Sequence, residues 1–161
     1  MDNKKTKNMK KSILLIAFGF IAISANAQEV KEKDVPPVIK DAFMKAHPNA
    51  KVDKWEKEGN NYEVEFTDNK IESSVDLGPN GQILETESEI TVAQLPKAVS
   101  DYCTKNMPGK KIKEASKIVD ASGKISYEAE VDEADYIFDS NGTFLEKKVE
   151  KEDDKDDDEK K

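Results

Sequence analysis

The amino-acid sequence predicts an α+β fold built from two tandem repeats, each a short helix followed by about four antiparallel strands. Two observations carry that prediction. The chain matches itself at a spacing near 60 residues, and within each copy the apolar period changes from helical to alternating. Val35-Pro36 recurs as Leu95-Pro96; at the same spacing Phe43 meets Cys103, Pro48 meets Pro108 and Val52 meets Ile112. The spacing widens to 65 where Tyr62-Glu63-Val64-Glu65 meets Tyr127-Glu128-Ala129-Glu130, because the second copy carries an insertion around residues 120–123. It returns to 61 where Asn80-Gly81-Gln82-Ile83-Leu84-Glu85 meets Asn141-Gly142-Thr143-Phe144-Leu145-Glu146. The two repeats are placed at residues 34–90 and 91–149.

Each copy opens with a helix. Pro36 and Pro96 sit near the first helical position, where the missing N–H of proline costs nothing. Val38, Ile39, Ala42, Phe43 and Ala46 then fall on one apolar stripe, and Ala98, Val99, Tyr102, Cys103 and Asn106 repeat the spacing. Pro48 and Pro108 end the helices, because the residue before a proline avoids the helical region. Strands follow, beginning with 51–57 in the first copy and 111–119 in the second. Tyr62, Val64 and Phe66 alternate with Glu63 and Glu65, and Ile71, Ser73, Val75 and Leu77 alternate with Glu72, Ser74 and Asp76. Ile125, Tyr127, Ala129 and Val131 alternate with Ser126, Glu128 and Glu130. That period of two marks half-buried strands. Gly59-Asn60-Asn61, residues 78–81, residues 121–124 and Ser140-Asn141-Gly142 carry the turns, with Asn-Gly suited to positive φ. Ile83-Leu84 and Phe144-Leu145 open the last strands. One helix covers one face of a sheet, so the other face is left for water or a partner.

The ends of the chain read differently. Residues 1–27 have the form of a signal peptide. Lys4, Lys5, Lys7, Lys10 and Lys11 precede an apolar run from Ile13 to Ile23, and Ala25-Asn26-Ala27 offers small residues for cleavage. The run is shorter than the ~20 apolar residues of a membrane span. The expectation is an exported, soluble protein, periplasmic or secreted, that begins near Gln28. Residues 150–161 hold acids and lysines without one apolar side chain, a composition expected to stay disordered. The whole chain has 34 acidic and 26 basic residues, net −8. Removing the signal takes away five lysines and Asp2, leaving 33 acids against 21 bases, net −12. Every base is a lysine. Nucleic-acid binding needs a basic footprint and favours arginine, so it is excluded. Adhesion to an anionic membrane surface is excluded on the same balance.

The helix openings Val35-Pro36 and Leu95-Pro96, the Pro48 and Pro108 stops, the two Tyr-Glu-x-Glu strands and the Asn-Gly-x-Ile/Phe-Leu-Glu endings together carry a resemblance. Over about residues 34–148 the chain resembles the PepSY-like family of exported bacterial proteins, which is similar in fold to the β-lactamase inhibitory protein. The resemblance implies one curved sheet built from both units, with the helices on one face and the open concave face available to a protein partner. It also implies that no catalytic residues need be sought. The inhibitor carries disulfides, whereas this chain has one cysteine, so no inhibitor contact residue is carried over.

The residues themselves offer little chemistry. His47, the one histidine, precedes Pro48 at a helix end and is matched by Met107. A cap or surface role is expected for it, helped by the helix dipole. Cys103 lies where Phe43 lies in the first copy, so it is expected to be buried and unpaired. No His/Cys cluster has zinc spacing, and neither a phosphate loop nor a nucleophile elbow occurs. No cofactor, metal or catalytic residue is therefore expected. The aspartates of 153–158 lack the spacing of a calcium loop. Glu63, Glu65, Glu72, Asp76, Glu128 and Glu130 would form a solvated acidic field on the outward side of the strands. Such a field is either an ordinary wet surface or a device that steers a basic partner. Trp55 lies on the first strand, where the second copy has Ala115. It is either core or an anchor on the open face. The expected function is an exported, non-enzymatic protein that binds a protein partner, inhibitor-like, through the open face. The alternative is a small ligand or cation held by the acidic face.

Overall fold

The computed structural model describes residues 27–149. The rest of the signal segment and the acidic tail lie outside the described residues. The elements run β1 (Gln28–Glu29), α1 (Pro37–Ala46), β2 (Lys51–Glu58), β3 (Asn61–Asp68), β4 (Ile71–Leu77) and β5 (Ile83–Glu89). Then come α2 (Lys97–Asn106), β6 (Ile112–Asp120), β7 (Ile125–Val131), β8 (Ala134–Asp139) and β9 (Phe144–Val149). Short 3-10 turns at Glu32–Asp34 and Val92–Gln94 lead into the helices. The nine strands form one sheet in chain order, each antiparallel to the next.

The two copies enter the sheet in the same way. Gln28 and Glu29 pair with Lys57 and Glu56, as Ser88 and Glu89 pair with Lys117 and Ser116. The Val30 N–H donates to the Trp55 carbonyl, as the Ile90 N–H donates to the Ala115 carbonyl. β1 is thus the first copy's counterpart of the end of β5. At two residues it is too short to show a period in the sequence.

Each helix has ten residues, a length that is marginal in water without packing. Pro36 and Pro96 stand at the N-caps, just ahead of the first turns. Ile39 and Phe43 pack on Trp55, Val64, Phe66, Val75 and Leu77. Val99 and Cys103 pack on Ala115, Ala129, Val131 and Phe138. Val38 and Ala46, expected on the first stripe, are exposed, so the contact narrows to one i, i+4 line. The registers place both clusters on one side of the sheet. Phe66 faces Ser73, Ser73 faces Ser88, Ser88 faces Lys117, Lys117 faces Tyr127, and Tyr127 faces Phe138.

The turns brace this arrangement. Gly81 at φ +80° and Gly142 at φ +82° tuck their hairpins against the helices. A Cβ at Gly81 would lie 2.8 Å from the Val38 carbonyl oxygen, and one at Gly142 would lie 2.7 Å from the Ala98 Cβ. The insertion in the second copy is a side-chain-closed turn. Asp120 Oδ1 accepts from the Ser122 N–H, the Ser122 hydroxyl and the Lys124 N–H.

Candidate functional site

The side of the sheet away from the helices carries the carboxylates. Residues paired directly across neighbouring strands share a face, so the registers define rows. One row is Glu56–Glu63–Asp76–Glu85–Asp120, running over β2 to β6. Beside it runs Lys54–Glu65–Ser74–Glu87–Ile118–Ser126. A third row is Glu89–Ser116–Glu128–Ile137–Glu146, and Glu130, Asp135 and Lys148 make a short fourth.

The centre of this face is withdrawn from water. Glu63 is 5% exposed, Asp76 8%, Glu87 2% and Glu128 4%. Glu56, Asp135, Ser74, Ser116, Ile118 and Ile137 are buried with them. Burial pushes the Glu63 carboxyl up to about 8, and the Asp76 charge directly opposite adds to it. Burial likewise raises Asp76 to about 7, aided by Glu58 and Glu85. Glu128 rises to about 8 through burial, with Asp135 adding and Lys148 opposing. Glu87 is held well above the usual carboxylate range by burial and by Glu128, with the Ser116 hydroxyl opposing. Neither oxygen of Glu87 has a hydrogen-bond partner of good geometry, nor has Oε1 of Glu63.

Few cations answer these acids. Lys54 lies 2.7 Å from Glu56 and 4.0 Å from Glu65, and Lys113 lies 3.1 Å from Glu130. Lys148 reaches Glu146 at 3.9 Å. Among the described residues, no group of three or more His, Cys, Asp or Glu side chains is arranged to hold a metal ion.

Two expectations need correction. The acidic field is not a solvated surface. Glu63, Asp76 and Glu128 are buried, Glu65 and Glu130 are half-buried, and of the six only Glu72 is exposed. Each of the buried three is flanked on both neighbouring strands by other side chains of the same face, which exclude water from it. Trp55 does not lie on the open face. It is 4% exposed and packs edge-on against Phe43 at 5.6 Å, on the helix side. The reason is a β-bulge between Val52 and Lys54, which keeps Val52 and Trp55 on the same side. His47 is the C-cap residue of α1, in keeping with the cap role expected for it. Burial lowers its pKa, with Asp68 opposing, and its ring packs on Phe43 at 5.4 Å and Phe66 at 4.7 Å.

Cys103 is free and buried in the second cluster, while His47 packs on the first. The two therefore do not form a dyad. Glu56, Glu85, Glu87 and Asp135 join this face too. The signal for two of them was present in Glu85-Thr86-Glu87-Ser88-Glu89, where carboxylates alternate without apolar residues between them.

A continuous antiparallel meander with one helix per half on one face, and a partly buried acidic row on the other, defines a two-unit scaffold with one face free of helices. The chain belongs to the family described as "Putative beta-lactamase-inhibitor-like, PepSY-like", matching it over residues 21–85 and again over residues 60–146. Solved structures share the fold. A DUF2874 family protein from Bacteroides uniformis ATCC 8492 is similar at TM-score 0.64 and 17% identity, covering 71% of this chain and 89% of that one. A "putative periplasmic" protein from Bacteroides eggerthii DSM 20697 is similar at TM-score 0.63 and 16% identity, covering 71% and 88%. A BLIP-like protein from Bacteroides fragilis NCTC 9343 is similar at TM-score 0.59 and 24% identity, covering 71% and 87%. No curated protein matches the sequence. Among the described residues no helix is long and apolar enough to cross a membrane.

Proposed function

We propose that this chain is an exported, non-catalytic binding protein that docks a cationic protein partner on the carboxylate face of its sheet. One observation carries the reading: Glu56, Glu63, Asp76, Glu85 and Asp120 stand directly opposite one another on five successive strands. Like charges directly opposite are destabilising, and partial burial makes them more so. Lys54 answers Glu56 and the turn donors answer Asp120, but Glu63, Asp76 and Glu85 between them would be satisfied by positive charge brought from outside. The description of the family as β-lactamase-inhibitor-like supports a protein as the bearer of that charge.

A sheet coiled toward the open face also fits. Lys148 on β9 opposes the rise in the Glu85 carboxyl on β5. Four strand spacings would put those strands ~19 Å apart in a flat sheet, so their interaction favours a face folded in on itself.

The test places a photo-crosslinking residue at Ser126, on the open face, and another at Asp101, on the outer side of α2. Both proteins are expressed in the native envelope. Crosslinks to a partner are expected from Ser126 and not from Asp101; the reverse pattern rejects the reading. Export is part of the proposal. N-terminal sequencing of the purified protein is expected to begin at or near Gln28, and retention of the apolar segment would mean an anchored protein.

A further inference from the structure

Glu87 is a buried carboxylate with no ion pair among the described residues. It is 2% exposed, it lies on the fifth of nine strands, and neither carboxylate oxygen has a hydrogen-bond partner of good geometry, the Ser116 hydroxyl donating toward it only weakly. Its side chain shares the open face with Ser74 on β4 and Ile118 on β6, directly opposite it on either side. Glu128, Glu85 and Glu63 act on it electrostatically, and the Ser116 hydroxyl donates toward it. An unsatisfied buried acceptor carries its full desolvation cost. Here both acceptors belong to one carboxylate, and further acceptors surround it.

That set of acceptors matches a planar guanidinium. Two parallel N–H groups of an arginine pair with the two oxygens of one carboxylate, and three more remain for neighbouring acceptors. A guanidinium is also more weakly hydrated than an ammonium and keeps its charge when buried. The chain has 26 basic residues, and every one is a lysine. No side chain of its own can therefore fill this role.

We propose that Glu87 receives an arginine side chain of the docking partner, with the carboxylates of Glu128 and Glu63 as further acceptors. The inference rests on the docking reading above and names the group that reads the partner. Burial and the neighbouring carboxylates, Glu128 first, hold the Glu87 carboxyl well above the usual carboxylate range, which agrees with a group short of positive charge.

The test uses the full chain, expressed with its export segment and purified from the envelope. Octaarginine and octalysine are titrated at matched ionic strength against the native protein, Glu87→Gln and Glu72→Gln. Glu72 is an exposed carboxylate on the same face. The native protein is expected to bind octaarginine about tenfold more tightly than octalysine. Glu87→Gln erases that preference, and Glu72→Gln leaves it. A second measurement needs no variant: carbon-13 NMR of the native carboxyl groups near neutral pH. Octaarginine is expected to move the Glu87 resonance to its ionised position. Equal binding of the two peptides, or an arginine preference that survives Glu87→Gln, overturns the assignment. So does a calcium chloride titration that alone moves the Glu87 resonance to the same position. Crosslinks from Ser126 without any arginine preference sink this inference and leave the docking reading standing. Absence of those crosslinks sinks the docking reading first.

Discussion

A single extra residue decides where Trp55 points. Counting in twos from Val52 sends Trp55 to the open face, but the pairing skips between Val52 and Lys54 and returns it to the core. The second copy makes the same skip between Ile112 and Ala115. A bulge leaves no mark in composition, so the sequence left both placements of Trp55 open. The carboxylates teach a related lesson. Their side of the sheet was legible from alternation, whereas their burial was not, because it depends on side chains from several strands. Cys103 was legible, since its match to Phe43 placed it on the packed line of the helix. The residue is 6% exposed, and labelling by a thiol reagent is expected to be slow in the native protein and fast in denaturant. Rapid native labelling would contradict the burial. The glycines at the hairpin tips make a sharper prediction. Gly142→Ala adds a Cβ 2.7 Å from the Ala98 Cβ at a positive φ. It is expected to destabilise the protein by more than about 1 kcal/mol in urea unfolding.

The helices are the elements that depend most on their neighbours. α1 offers the sheet little more than Ile39 and Phe43. Phe43 packs edge-on against Phe66 at 5.1 Å as well as against Trp55, so one ring ties the helix to two strands. Phe43→Ala is expected to cost about 3–5 kcal/mol, read as a lower midpoint in urea. A loss under about 1 kcal/mol would mean that the helix is held by something else. The helix stops and hairpin turns were legible because proline and Asn-Gly have fixed backbone demands. β8 was harder to read. Ala134, Tyr136 and Phe138 face the helix side, but Ile137 stands among acids on the other. Apolar residues on both faces blur the period of two.

At the scale of the whole molecule the acidic face sets how stability responds to pH. Glu63, Asp76 and Glu128 are raised to about 8, 7 and 8 in the folded protein. In the unfolded chain they ionise near pH ~4. Between about pH 4 and pH 8 the folded state therefore holds more protons than the unfolded one, and stability falls as pH rises through that window. His47, lowered by burial, works the other way below pH ~6.5, but it is one group against several. The melting temperature is expected to be higher near pH ~5.5 than near pH ~8.5. Glu63→Gln combined with Glu128→Gln should flatten the difference, and a native curve that rises with pH would refute this account. The strand order has a consequence in time. A chain that emerges N-terminus first never has to hold a strand in waiting, because every strand is hydrogen-bonded to its immediate predecessor. The first half can close around Phe43 before the second half has appeared. Newly arrived chain then zips onto the edge left by β5, which stays open to other chains only until β6 covers it.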